Sequence, residues 1–489
     1  MLHISDVKRF NRCPFLYVKS KEEPSVFNSF VRLDEEITTL AADKLEAKEY
    51  FQGYRSMDCN ETLEAMDHYD WIMKGRFEAD GLRIKVPFLH RHDEGWDLYF
   101  LFCGNIPKED DLQFYVDTVY VLEKNKIILK DYYMIHFNKD YVRGDELDPK
   151  ELFLVSTHFY TDKGNPARDL KEAITRKMVD LKPTLDQIIH LDTEELGSPV
   201  RMPKCSRKSK CMYYQDCFPE EETMEDDSIL TLISSQHKYA MKREGMEHLR
   251  DVDLSRLEGS RLQYAQIMAD INGGCFIDKM AVRSWMGALK YPLIFLDFEW
   301  DTYAIPPYKG MSPFGVALFE YSIHIMDKQG KVEHKDYIGI GDCREALIQG
   351  LINDIPSNGT IIAYNAEGAE KLRLQELAQQ FPVYESKLMG FHKRFMDLQV
   401  PFAQGMIYDT RMKGLFSLKV LMNILDDEGY KALDIHQGMD AVFEWRRVDR
   451  HEDADSEKIL NDLKAYCGMD TYAMIVVFKW ILKLLDSEF

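Results

Sequence analysis

The sequence predicts an α/β multidomain protein, and three observations carry that prediction. At 489 residues the chain exceeds the roughly 150 residues of an average domain and accommodates two or three. Stretches of strand character ("LRIKVPFLHRHDEGWDLYFLFCG", "QFYVDTVYVL", "LIFLDFE", "GTIIAYN") are interleaved with helical ones ("LQYAQIMADI", "AEKLRLQELAQQF"). An acidic run from Glu220 to Asp227 reads as an exposed linker that divides the strand-bearing parts.

Taken in order, residues 1–218 run from a short helix through β-rich segments to a cysteine cluster, which suits α+β or α/β architecture. Residues 219–288 comprise the acidic linker and a helical connector without a strand of note. Residues 289–489 pass from strands into helices, as expected of a mixed sheet flanked by helices. Within them "LIFL" lacks polar–apolar alternation, which marks a central strand buried on both faces.

Apolar residues make up 45% of the chain, enough for a core in each domain. The formal net charge of -21 argues against nonspecific coating of nucleic acid, although a local basic groove or bound cations would still recruit one. The start "MLHISDVKRFNRC" lacks the apolar region of a signal peptide. The apolar helix "YAMIVVFKWILKLL" is broken by Lys479 and Lys483, so it does not read as a membrane span. These features predict a soluble cytoplasmic protein with no membrane partner. Nine cysteines, an odd number, suit reduced thiols or metal ligands better than a disulfide framework.

Cys205, Cys211 and Cys217 fall in "KCSRKSKCMYYQDC", among Arg207, Lys208 and Lys210. A tetrahedral thiolate site needs a fourth ligand, and Cys13 in "FNRCPF" is the candidate. Zinc and an iron–sulfur cluster both remain open on this pattern. Cys59, Cys103, Cys275, Cys343 and Cys467 are scattered and read as packed small hydrophobes. One early cysteine followed by three late ones resembles the iron–sulfur clasp of RecB-like nucleases, found in CRISPR-adaptation exonucleases and AddAB helicase–nucleases. "ISDVKRFNRCPFLYVKSK" and "IHFNKDYVRGDELDPKELF" also resemble a bacterial domain-of-unknown-function family with this module. The resemblance implies a restriction-endonuclease-like PD-(D/E)xK fold whose ends are stapled by a [4Fe-4S] cluster. It also implies lost chemistry: the family's catalytic Asp corresponds to Pro87, its Glu-x-Lys to Phe100 and Phe102, and its later glutamine to Thr118. None of the three replacing the acid, the Glu and the Lys can ligate a metal or move a proton.

In "YPLIFLDFEWD" the side chains of Asp297 and Glu299 point to one face of a strand. Two carboxylates leaving a buried strand are costly unless solvated or bound to cations. Asp301 shares that face, one step further along, and is expected to meet solvent. "LKAYCGMDTYAM" places Tyr466 and Asp470 four apart on a helix, hence on one side of it. Between these motifs, "GTIIAYNAEGAEKL" carries Glu367 and Glu370 at a helix start. Together they resemble the DnaQ-like 3′–5′ exonucleases with a tyrosine in their third motif, the DEDDy group that includes RNase D and the proofreading domain of bacterial DNA polymerase I.

That resemblance implies an RNase H-like domain over 289–489 with Asp297, Glu299, Glu370, Tyr466 and Asp470 as catalytic residues. All but Tyr466 would be ligands of two Mg²⁺ or Mn²⁺ ions. The group's second-motif acid falls at Ala369 here, which leaves Glu370, favoured, or Glu367. Asp397 matches a structural Asp of the group better than a ligand. Tyr466 would orient the attacking water rather than act as a strong base. Tyr303, Tyr308 and Lys309 in "TYAIPPYKG", and the basic residues around the cysteines, are candidate strand contacts, and Lys419 follows Ser417, a candidate helix cap. The expected partner is nucleic acid, DNA ahead of RNA, with a protein partner possible through the inactive module. The competing expectation is an inert nucleic-acid-binding or partner-docking protein in DNA repair or phage defence.

Overall fold

Alternating apolar side chains build the first sheet. In Leu82–His92, the residues Leu82, Ile84, Val86 and Phe88 are buried at every second position, the period of a strand with one face on a core. The computed structural model describes residues 1–22, 34–202, 205, 211–219, 224–426, 429–435, 437–451 and 455–486. Arg207, Lys208, Lys210 and the first part of the acidic run therefore lie outside the described residues. The chain is an α/β protein with mixed sheets, divided into two units: 1–222 with 303–315, and 223–302 with 316–489. Among the described residues no helix is long and apolar enough to cross a membrane.

In the first unit the sheet comprises β1 (Leu2–His3), β2 (Tyr50–Gln52), β3 (Trp71–Ala79), β4 (Leu82–His92), β5 (Gly95–Phe102), β6 (Leu129–Phe137) and β7 (Phe153–Ser156). Its order is β2-β3-β4-β5-β6-β7, with β1 beside β4. A small hairpin of β8 (His158–Tyr160) and β9 (Pro166–Asp169) follows. The segment "QFYVDTVYVL", expected to be β-rich, is instead within the helix Leu112–Lys124. Leu112, Tyr115, Val116, Val119 and Tyr120 are buried in it at helical spacing, and the parallel pairing of β5 with β6 demands a crossover. Packing of that stripe overrides the β propensity of its valines and tyrosines. Residues 303–315 also belong to this unit: Ala304 and Ile305 are buried among Phe137, Phe153 and Leu152.

The second unit holds β10 (Cys275–Ile277), β11 (Leu293–Tyr303), β12 (Gly315–Met326), β13 (Val332–Ile338), β14 (Thr360–Ala363), β15 (Phe395–Asp397) and β16 (Ile407–Asp409), apart from the end residues Tyr303 and Gly315. Five of them form a mixed sheet ordered β13-β12-β11-β14-β15. β12 and β13 are antiparallel, whereas β14 runs parallel to both β11 and β15. The connector is not separate. Leu262, Ala265 and Ala269 of the helix Arg261–Ile271 join the core of this unit, and β10, a strand not expected there, pairs with β16. Its apolar stripe has no partner of its own, so it folds onto the sheet domain.

β11 explains its own lack of alternation. Ile294, Leu296 and Phe298 enter one core with the helices Arg344–Asp354 and Glu370–Gln380. Leu293 and Phe295 enter the other, with Met474, Ile475, Phe478 and Ile481 of the long helix Ser456–Asp486. Each such side chain contributes about 1.5–3 kcal/mol by leaving water.

Asp301 departs from expectation. It does not meet solvent but is 0% exposed and holds Arg446 of the helix Gly438–Asp449 through two bonds, at 2.7 and 2.6 Å. The same helix stacks Trp445 on Phe319 at 4.5 Å and donates its indole N–H to the Gly339 carbonyl at 2.8 Å. Removing one partner leaves the other charge buried, so Arg446→Ala should destabilise this unit by about 3–5 kcal/mol. Urea unfolding followed by tryptophan fluorescence would measure it, and a loss of about 1 kcal/mol or less, as for an exposed pair, would refute a buried one.

Candidate metal centre

The odd-numbered face of β11 that carries Leu293 and Phe295 continues as Asp297 and Glu299, so these carboxylates face the long helix. There Asp470 lies one turn beyond Tyr466, and both are buried. Ligand atoms of Asp297, Glu299 and Asp470 lie within 4.8 Å of one another. A shell of hydrogen bonds surrounds them. The Tyr430 hydroxyl donates to Asp470 Oδ1, and the Cys467 thiol donates to Asp297 Oδ2 at 3.5 Å. Lys419 Nζ donates to the Tyr466 hydroxyl at 2.9 Å and sits over the Tyr466 and Tyr430 rings at 4.8 and 5.3 Å. Lys419 is placed by the helix Leu418–Leu425, which Ser417 caps by accepting from the Val420 N–H at 3.4 Å. A Cβ on Gly438 would stand 3.9 Å from both Glu299 Oε2 and the Tyr466 hydroxyl, so a helix N-terminus, with its partial positive charge, adjoins the acids.

The two candidate glutamates of the middle motif separate cleanly. The Glu367 side chain is 74% exposed and pairs with Lys371. Glu370 opens the helix Glu370–Gln380, is buried, and leaves Oε2 without a hydrogen-bond partner. It lies outside the three-residue set but close enough that Asp297 raises its pKa, after burial itself. Ala369 precedes it as the residue before the helix. Asp397 accepts from the backbone N–H groups of Asn365 (2.9 Å) and Gln399 (2.8 Å), which fixes a turn.

Burial raises the pKa of Asp297, with Asp470 adding to it, and of Glu299, with Asp297 adding to it. Asp470 is pushed up to about 6 by burial, against the hydrogen bond from Tyr430 and the charge of Lys419. Glu320 of β12, which sequence reasoning passed over, adds a further carboxylate: it is fully buried, neither oxygen has a partner, and burial followed by Asp297 raises its pKa. Its signal was a lone acid inside the apolar run "GVALFEYSIHIM". Tyr430 and Cys467 were also missed, and nothing local distinguishes them. Hard divalent cations are what an oxygen-only set of this charge holds, and the unpartnered oxygens of Glu370 and Glu320 fit that requirement.

In the first unit Cys13, Cys205, Cys211 and Cys217 all line one cavity of about 30 Å³, with Phe15 and Val200 among its apolar walls. Burial raises the Cys217 pKa, with Cys211, Cys13 and Cys205 adding in that order. Of the other cysteines Cys343 and Cys467 are buried, Cys59 and Cys275 half-buried, and Cys103 is exposed rather than packed. Phe100 is fully buried against Tyr115 at 4.8 Å, Phe102 packs on the same core, and Thr118 donates to the Phe114 carbonyl at 2.9 Å. With Pro87 in β4, these positions offer no ligand set. Tyr303 and Tyr308 meet edge-on at 6.4 Å, and Lys309 pairs with Asp145 at 2.8 Å.

The raised pKa values set a pH dependence. A carboxyl whose folded pKa is raised binds protons more tightly in the folded chain, so without cations its contribution to stability is fully present below about pH 4. It is lost as the pH rises through about 6 for Asp470 and through the raised values of the others. In EDTA, the Tm of Asp297→Asn/Glu299→Gln should therefore gain on wild type between about pH 5 and pH 8, by about 2–4 °C for each kcal/mol of repulsion removed. Mn²⁺ should raise the wild-type Tm and leave the variant's unchanged. Parallel melting curves with and without Mn²⁺ would rule out a cation-binding cluster.

Residues 294–417 match a family described as a domain of unknown function, DUF2779. That span includes Asp297, Glu299 and Glu370 but not Tyr466 or Asp470. The chain is also similar to the uncharacterized protein UU173 of Ureaplasma parvum serovar 3, at 27% identity over 226 residues, or 41% of this chain and 32% of that protein. The chain thus spans about a third of the length of the curated relative it matches. No solved structure gives a significant match.

Proposed function

We propose that the second unit is an RNase H-like, DEDDy-type 3′–5′ exonuclease that hydrolyses nucleic-acid phosphodiesters with divalent cations, and that the first is a RecB-like module without catalytic residues. The observation that carries the reading is the meeting of Asp297, Glu299 and Asp470 within 4.8 Å beside Tyr466, with an unpartnered Glu370 oxygen close by. Asp297, Glu299, Glu370 and Asp470 would hold two Mg²⁺ or Mn²⁺ ions. Such cations supply an activated water and neutralise charge developing on the phosphate. Tyr466 has a pKa raised by burial and by Asp470, so its hydroxyl stays protonated and orients water by hydrogen bonding instead of removing its proton. Lys419 fixes that hydroxyl, and Tyr430 fixes Asp470.

For the first unit we propose a [4Fe-4S] cluster on Cys13, Cys205, Cys211 and Cys217. The four cysteines line one apolar cavity, and in such a cluster each thiolate ligates its own iron. The partner would be nucleic acid, DNA ahead of RNA. The position of Glu370 outside the compact carboxylate set favours a second reading, an inert nucleic-acid-binding or partner-docking protein.

Digestion of 3′- and 5′-labelled DNA and RNA with Mn²⁺ separates the two. The enzyme should shorten strands from the 3′ end, stop in EDTA, and lose about 100-fold or more in rate in Asp297→Asn, the scale of removing one electrostatic stabiliser of the transition state. Binding without shortening in wild type would establish the inert reading. Separately, anaerobically purified protein should be brown, with iron and acid-labile sulfide in equal amounts, and Cys13→Ser should lose both. Colourless protein whose wild type carries one zinc more than Cys13→Ser would replace the cluster with a zinc site.

A further inference from the structure

A second group of ligands, unrelated to either site above, lies where β4 meets β5. His90 and His92 are two apart on β4 and so share a face. The register sets Asp97 opposite His90 and Gly95 opposite His92, so no side chain intervenes. Ligand atoms of His90, His92 and Asp97 lie within 4.8 Å of one another, with His92 Nε2 2.7 Å from Asp97 Oδ2. Asp97 is 4% exposed, yet its Oδ1 has no hydrogen-bond partner, a costly state for a carboxylate. His90 is held in place by stacking on Trp71 of β3, at 4.0 Å and 16°, and meets the His92 ring edge-on at 4.9 Å. Arg91, between the two histidines, points to the other face and lies over the Trp96 ring at 4.8 Å.

We propose that His90, His92 and Asp97 bind a divalent transition-metal ion of the zinc class. Two imidazoles and one carboxylate match the borderline-soft preference of such ions, in contrast to the all-oxygen centre of the second unit. The ion satisfies Asp97 Oδ1, ties β4 to β5, and keeps a fourth position open to solvent beside His92, whose side chain is 38% exposed.

The test titrates Zn²⁺ into full-length wild type and His92→Gln by equilibrium dialysis, with excess Mg²⁺ occupying oxygen-only sites. The cysteines are identical in the two proteins, so they cancel. Wild type should bind one equivalent more than the variant. His90→Gln should lose the same equivalent. Imidazole ¹⁵N resonances of wild type provide a measurement that does not depend on a variant's folding: those of both His90 and His92 should shift on addition of Zn²⁺. Equal stoichiometry in all three proteins, or imidazole resonances that do not move, would overturn the site.

Discussion

Burial of β11 on both faces is the constraint on which the second unit depends. A strand with Ile294, Leu296 and Phe298 in one core and Leu293 and Phe295 in the other cannot slip by one residue without exchanging the two faces. The same register carries on past Leu296 into Asp297, Glu299 and Asp301. The apolar half of the strand therefore decides where the acidic half points, and the long helix that covers Phe295 through Phe478 is the one that presents Tyr466 and Asp470. Packing and chemistry share one helix and one strand.

Three carboxylates on one strand face meet three environments. Asp301 is neutralised by Arg446 and is structural. Asp297, half-buried, receives a thiol hydrogen bond, weak compensation for its charge. Glu299 has neighbouring acids and Lys419 as its nearest cation, already engaged by Tyr466. A core built only for stability would pair or replace such groups, because unpaired buried charge costs several kcal/mol. The contrast between Asp301 and its two neighbours separates a strut from a site more sharply than the acid count does.

Much of this was legible in the sequence. Strand character in "LIFLDFE" and "GTIIAYN", the helical placement of Tyr466 and Asp470, and the nomination of Cys13 all follow from period, spacing and ligand arithmetic: the two strands pair, Asp470 meets Asp297 and Glu299, and Cys13 lines one cavity with the other three cysteines. What was not legible depended on long-range partners. The helix Leu112–Lys124 reads as strand because valine and tyrosine favour sheets until a crossover fixes the segment. Asp301 reads as solvent-facing because Arg446 lies 145 residues away. The connector reads as separate because its core partners, such as Ile407 and Tyr408, come more than a hundred residues later. Glu320 was visible as an acid in an apolar strand, and its weight becomes clear only once β12 is seen beside β11.

The two units also divide their ligand chemistry. The second gathers carboxylates around buried oxygens with no partner, a set that favours hard cations. The first gathers four thiols on one apolar cavity and two imidazoles with one aspartate on a hairpin, sets that favour softer ones. Its sheet meanwhile carries Phe100, buried at 0% exposure, and Phe102 packed on the same core, where the proposed RecB-like reading would call for acid and lysine. Phenylalanine at both positions extends the apolar core and leaves no need for a cation there. The first unit thus gains rigidity at Phe100 and Phe102, where it has no acid to ligate, whereas the second accepts repulsion around Asp297, which gives its carboxylates, unlike those phenylalanine positions, a physical reason to await a cation.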